Sequence, residues 1–318
     1  MVKKVEKDIL LASGTNEVEI AVVSLGAQTF GINVAKIREF RAIKGLEIKR
    51  LPGSHESIIG VFDFREETVP LIQLCAHLNL PSAEESDNPI IVVTEFNNMT
   101  AGFITDGITD IHRITWADFK PLSSSLSVSA SQVTGSVNLA GEKVLVLDME
   151  QILGEIFPDS IINYDERAFA DKPKIEERQG AKLFFAEDSV LIRTQITKVL
   201  EEVGYTDLRV FNNGQSAYDA VVELKKRTEG EGVEIDRHLN LILTDIEMPQ
   251  MDGLTLCRRV REELGLKTPV IIFSSLISEQ MAAKCRQVGA DGYVTKPETE
   301  RLIALIDGLV RPSGAPPG

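Results

Sequence analysis

Between Ala181 and Val310 five short apolar runs alternate with five stretches of helical periodicity, and very few folds accommodate that rhythm. The runs are AKLFFA, DLRVFN, LNLILT, PVIIFS and DGYVT. Each precedes a segment such as DSVLIRTQITKVLEEVG or ETERLIALIDGLV, whose apolar residues recur every three or four positions. Strands apolar at consecutive positions are buried on both faces, which requires a parallel sheet with helices covering each side. This half is expected to form a doubly wound (βα)5 sheet of the α/β class.

The preceding region has another character. From Glu19 to Leu153, runs rich in Val, Ile, Thr and Phe are bounded by Gly, Asn, Asp or Pro; VEIAVVSLG, IIGVFDF, TVPLIQL, PIIVVTEF, VTGSVNLAG and KVLVLDM are examples. That pattern predicts an all-β domain of small barrels or sandwiches. A helix is expected at NVAKIREFR, where Val34, Ile37 and Phe40 form an apolar stripe, and a short one at DMEQILGEIF. The chain thus divides into a lead-in over 1–18, a β domain over 19–157, a polar linker over 158–180, an α/β domain over 181–310 and a tail over 311–318, expected to be disordered.

Charge and cysteine usage narrow the function. A net charge of −14 repels nucleic acid and anionic lipid. No apolar run approaches the roughly 18 to 20 residues that span a bilayer, so neither nucleic-acid binding nor direct membrane insertion is expected. Acids interrupt the N-terminal MVKKVEKDILLASGTNE, which reads as a lead-in and not a secretory signal. Cys75, Cys257 and Cys285 are scattered, as small buried hydrophobes in a reducing cytoplasm would be, and His55, His77, His112 and His238 lack zinc-ligand spacing. One basic island, KIREFRAIKGLEIKR, reads equally as a solvated edge or a docking surface.

Chemistry gathers at the strand ends of the α/β half, where open parallel sheets carry their functional crevice. Strand 1 runs into Glu187 and Asp188, strand 3 into Asp245, strand 4 into Ser274 and Ser275, and strand 5 into Lys296 and Pro297. Three converging carboxylates repel unless a cation sits among them, and hard oxygen ligands suit Mg2+. A carboxylate beside Mg2+ and a lysine is a competent phosphoryl acceptor. Each residue also has a bland reading. Asp188 in EDS and Asp252 in MPQMDGLTL suit helix N-caps, and Lys296 alone suits a solvated surface. Chance placement of the whole ordered set is far less economical.

Residues 181–310 resemble a response-regulator receiver domain of the CheY type, through AEDS, LTDIEMPQMDG, PVIIFSS and GADGYVTKP. The resemblance implies a flavodoxin-like fold with Asp245 as phosphoacceptor. It implies Mg2+ held by Asp188 and Asp245, by Glu187 largely through water, and by the Glu247 backbone carbonyl. Ser274 takes the hydroxyl switch position, Tyr293 the aromatic switch and Lys296 the invariant lysine. Glu187 replaces the commoner Asp and Ser274 the commoner Thr, and neither change removes a needed oxygen.

Residues 19–157 resemble the CheW-type chemotaxis coupling domain, through VVSLGAQTFGINVAKIREF, IIGVFDFREETVPLIQL, GFITDGITDIHRI and VTGSVNLAGEKVLVLDMEQIL. That family implies two small five-stranded barrels around a shared core, with Ile37, Glu39, Arg41 and Arg65 at partner-binding or groove-forming positions. At FDFREE, Phe62 and Phe64 replace smaller aliphatics and Glu66 replaces a glycine. Together the halves resemble the CheV-type coupling proteins. What that implies is a non-enzymatic adaptor between the cytoplasmic tips of chemoreceptors and a histidine kinase, cytoplasmic and at receptor arrays, tuned by phosphorylation of Asp245. A phosphate sink that drains the kinase stays open as an alternative. An aspartate-based phosphatase is disfavoured, because Glu247 stands where such enzymes carry a second Asp.

Overall fold

The computed structural model describes residues 17–81, 88–96, 99–122, 131–158, 175, 178–275 and 277–310. The chain divides into two units, Met1–Ser160 and Ile161–Gly318. The lead-in 1–18 (apart from its last two residues) and the tail 311–318 lie outside the described residues.

In the first unit, two antiparallel-rich sheets form. One has the order β8-β1-β2-β11-β10-β9, built from β1 (Glu17–Leu25), β2 (Gln28–Asn33), β8 (Gly107–Thr115), the two-residue β9 (Lys120–Pro121), β10 (Val133–Leu139) and β11 (Glu142–Leu147). The other has the order β3-β6-β7-β5-β4, from β3 (Ile37–Ala42), β4 (Ile58–Phe64), β5 (Glu67–Gln73), β6 (Ile90–Phe96) and β7 (Met99–Thr105). Each sheet encloses its own apolar interior. Val18, Ile20, Val22, Trp116 and Val146 pack in the first, and Phe62, Phe64, Leu71, Ile91 and Val93 in the second. Alternation along each strand sends the intervening residues the other way. Val23, Leu25, Phe103 and Val92 thereby meet in a shared core closed by α2 (Met149–Ile156), and α1 (Leu74–His77) adds Leu74 and Cys75. Two β subdomains around a common core are what the coupling-domain resemblance implies.

NVAKIREFR is not a helix. Asn33 caps a single 3-10 turn, Val34–Lys36, by accepting from the Ala35 amide at 3.0 Å, and Ile37 then enters β3. β3 is paired along its length with β6, and those ladder bonds outweigh the weak helical stripe. The DMEQILGEIF helix forms as expected, with Asp148 as its N-cap. Burial, with the Glu150 charge second, pushes the Asp148 carboxyl up to about 6. A carboxyl raised in the folded state costs stability as pH rises from its unfolded value to its folded one. Asp148→Asn keeps the cap and removes the charge. It should therefore stabilise the chain by up to about 3 kcal/mol at pH 7.5 and by far less at pH 4.5, read from denaturant midpoints.

In the second unit, the strands β12 (Lys182–Ala186), β13 (Asp207–Phe211), β14 (Leu241–Thr244), β15 (Val270–Ser274) and β16 (Gly292–Thr295) form one all-parallel sheet of order β13-β12-β14-β15-β16. The helices are α3 (Val190–Glu202), α4 (Gly214–Glu231), α5 (Gly253–Glu262), α6 (Glu279–Gln287) and α7 (Thr299–Leu309). Leu183 and Phe185 meet α3 and α7 on one face, while Phe184 and Ala186 meet α4 and α5 on the other. Cys75, Cys257 and Cys285 are all buried free thiols.

Candidate functional site

The end of β12 drives two acids against the edge of the core. Glu187 follows the apolar FFA and its side chain is wholly buried, which isolated charge does not tolerate. Its Oε2 accepts from Lys296 Nζ at 2.7 Å, and its Oε1 accepts from the Ser189 amide at 3.3 Å. Lys296 is also buried and reaches Asp245 Oδ2 at 3.2 Å. Asp245 Oδ1 in turn accepts from the Ile246 amide at 2.7 Å. One ammonium thus bridges two buried carboxylates, and Asp188, half-buried, adds a third acid. Ligand oxygens of Glu187, Asp188 and Asp245 lie within 4.8 Å of one another. Such a cluster of hard oxygens fits Mg2+.

The other expected residues take distinct places. Ser274 is buried at the end of β15, paired in register with Thr295, and its carbonyl accepts from the Lys296 amide at 3.2 Å. Glu247 is half-buried in the loop two residues past Asp245. Tyr293 is half-buried on β16; its hydroxyl accepts from Arg286 Nη1 at 2.9 Å, and the guanidinium lies 5.8 Å from the ring centroid. Asp188 does not cap α3, because Ser189 does, accepting from the Ile192 amide. Asp252 does cap α5, accepting from the Thr255 amide at 2.8 Å.

In the β unit, Ile37 packs partly buried against the shared core, and Glu39 is half-buried opposite Val93. Arg41 on β3 donates to the Asp63 carbonyl on β4 at 3.3 Å, and its guanidinium lies 6.0 Å from the Phe62 ring. β3 and β4 are the two edges of their sheet, so this side chain bridges the seam between them. Arg65 is exposed, holds a left-handed backbone (φ 57°) in the turn between β4 and β5, and stacks 5.1 Å from the Phe64 ring. Arg41 and Arg65 therefore both sit against the Phe62–Phe64 strand.

Two contributors escape sequence reading. Gly253 opens α5 so tightly against the acid loop that a Cβ there would stand 1.9 Å from the Asp245 carbonyl oxygen. Arg193 sends one guanidinium nitrogen to the Glu187 carbonyl at 2.8 Å and the Asp188 carbonyl at 3.0 Å. It lies in the first turn of α3, and its spacing from the acid pair is the only trace in the sequence. Arg193→Ala should weaken Mg2+ binding about tenfold, worth about 1.4 kcal/mol, as the acid loop loosens. Arg193→Lys should recover part of this in a Mg2+ titration.

Fold and site together define a two-part protein, a β domain joined to an α/β domain that carries a three-carboxylate pocket. Residues 19–157 match the CheW-like domain, and residues 183–307 match the response regulator receiver domain. The chain is 30% identical over 286 residues to the chemotaxis protein CheV3 of Helicobacter pylori, covering 88% of each chain. It is 26% identical over 283 residues to CheV2 of the same organism, covering 85% of this chain and 86% of that one. It also resembles the solved receiver domain of the histidine kinase CKI1 from Arabidopsis thaliana, complexed with Mg2+ and BeF3-. There the identity is 24% and the TM-score 0.38, over 43% of this chain and 95% of that one. The chain belongs to the CheV family of chemotaxis proteins, adaptors that join a CheW-like domain to a receiver domain. Among the described residues no helix is long and apolar enough to cross a membrane.

Proposed function

We propose that this chain couples chemoreceptors to a chemotaxis histidine kinase through its CheW-like domain, and that phosphorylation of Asp245 tunes the coupling. The observation that carries this reading is the meeting of three carboxylates, Glu187, Asp188 and Asp245, beside the buried ammonium of Lys296. An Asp245 carboxylate oxygen attacks the phosphorus of the kinase phosphohistidine. The P–N bond breaks as the acyl P–O bond forms, and the imidazole leaves with the electron pair. Mg2+ would be held by Glu187, Asp188, Asp245 and the Glu247 carbonyl, and would supply charge neutralisation for that transfer. Lys296 pairs with the new phosphoryl oxygens, and the Ser274 hydroxyl donates to one of them. Phosphorylation adds about −1.5 to −2 charge. Drawing Ser274 and Lys296 toward it frees Tyr293 to leave Arg286 and turn inward.

Arg41, Arg65, Ile37 and Glu39 are proposed as the partner-facing residues of the coupling domain, which would place the chain at receptor arrays. Labelled kinase incubated with the full chain tests the acceptor. Label should pass to wild type and not to Asp245→Asn, and equal labelling of both would refute Asp245 as the acceptor. The lifetime of the label separates tuning from a phosphate sink: a species that decays faster than the adaptor exchanges partners favours the sink.

A further inference from the structure

Arg178 lies in the polar segment 158–180, yet it is only 4% exposed. Its guanidinium grips Asp307 with two parallel bonds, Nε to Oδ1 at 2.8 Å and Nη2 to Oδ2 at 2.6 Å, and Nη1 donates to the Val203 carbonyl at 2.9 Å. The Tyr205 hydroxyl donates to the same Asp307 Oδ1 at 2.6 Å, and that phenol is itself buried. A second contact lies beside this fork. Gly204 takes φ +111°, and a Cβ there would stand 3.0 Å from the Ile175 carbonyl oxygen and 3.1 Å from its Cα. The backbone of the incoming segment thus lies on the turn between α3 and β13, and its arginine is locked to the last turn of α7. A polar tether needs none of this, and burying a guanidinium is costly unless the geometry of its carboxylate partner is held.

The other end of α7 reaches the acid pocket. Lys296, which pairs with Glu187 and Asp245, precedes Thr299 by three residues. From Thr299 to Asp307 the helix rises about 12 Å as one rigid element. It is pressed onto the sheet, since a Cβ on Gly292 would stand 2.5 Å from Leu305 Cδ2, and Tyr293 is the next residue of that strand.

We infer that α7 is a lever whose pocket end is moved by Lys296 and whose far end, through Asp307 and Arg178, sets the position of the segment leading to the coupling domain. This rests on the acceptor reading and supplies its route. A change of charge at Asp245 shifts Lys296, the helix follows, and the Arg178 fork carries the shift into the chain on its N-terminal side. The physical requirement is an element with two arrangements that both ends bias.

The test uses the full chain with Mg2+ and beryllofluoride as the phosphoryl mimic, and reads amide hydrogen exchange over residues 175–182. In wild type, beryllofluoride should change exchange there by about threefold or more. Arg178→Ala should raise exchange over 175–182 about tenfold in both states and abolish the response, while the pocket still takes up beryllofluoride. Arg178→Lys, which keeps the charge without the fork, should keep part of the response. Beryllofluoride uptake with no change over 175–182 in wild type overturns the lever alone. A response in Arg178→Ala equal to wild type overturns it too. A wild-type chain that takes up no beryllofluoride overturns the acceptor reading and the lever with it.

Discussion

Lys296→Met should destabilise the metal-free chain by about 3 kcal/mol and yet raise its affinity for Mg2+ about tenfold. The two effects share one cause. The ammonium lies 2.7 Å from Glu187 and 3.2 Å from Asp245, and all three side chains are buried. Methionine fills much of the same volume but leaves two carboxylates facing each other without the Lys296 charge. A divalent cation then meets acids that no longer hold a competing cation, so Mg2+ should restore most of the lost stability. Denaturation midpoints with and without about 10 mM Mg2+, alongside a binding titration, read both quantities. Equal destabilisation in the two conditions, with weaker Mg2+ binding, would show that Lys296 does not compete for the acids.

Gly253→Ala should cost about 3 kcal/mol and weaken Mg2+ binding, because the new methyl is driven into backbone. It would meet the Asp245 carbonyl oxygen at 1.9 Å and its carbon at 2.9 Å. Neither is the end of a flexible side chain, so α5 must back away. The Gly253 amide then loses its 3.0 Å bond to the Ile246 carbonyl. Gly230 in α4 is the matched control: open space surrounds it, and Gly230→Ala should stabilise the chain by about 0.5 kcal/mol. Thermal unfolding of the two variants should move in opposite directions, and a Gly253→Ala chain as stable as wild type would remove the close approach from the account.

The α/β half was legible because its strands, buried on both faces, leave continuous apolar runs, and their polar ends fall at one edge of a parallel sheet. That logic places Glu187, Asp188, Asp245, Ser274 and Lys296 at that edge from the sequence alone. It also left Asp188 open as a helix cap, since Asp and Ser are comparable caps and only the local backbone selects Ser189. The β half was harder. In β3, Ile37 and Phe40 fit a helical period as well as a strand, and pairing with β6 decides between them. β2 is interrupted by Gly31, and β8 is an edge strand with mostly half-exposed or exposed residues, so neither shows a buried alternation. Arg178 acts through Asp307, 129 residues along the chain, Arg193 through two backbone carbonyls, and Arg286 through the Tyr293 hydroxyl on a separate element. Apart from the spacing of Arg193 from the acid pair, a single sequence carries no sign of such contacts.

The central claim is that a charge placed on Asp245 changes what the CheW-like domain holds. Its most direct test is the affinity of the full chain for an assembly of chemoreceptor tips and kinase, measured with and without a phosphodonor and Mg2+, together with kinase output. Wild type should shift by about fivefold or more, about 1 kcal/mol of coupling, and Asp245→Asn should not shift at all. A wild-type chain that carries phosphate on Asp245 and still binds the assembly with unchanged affinity and unchanged kinase output would contradict the account.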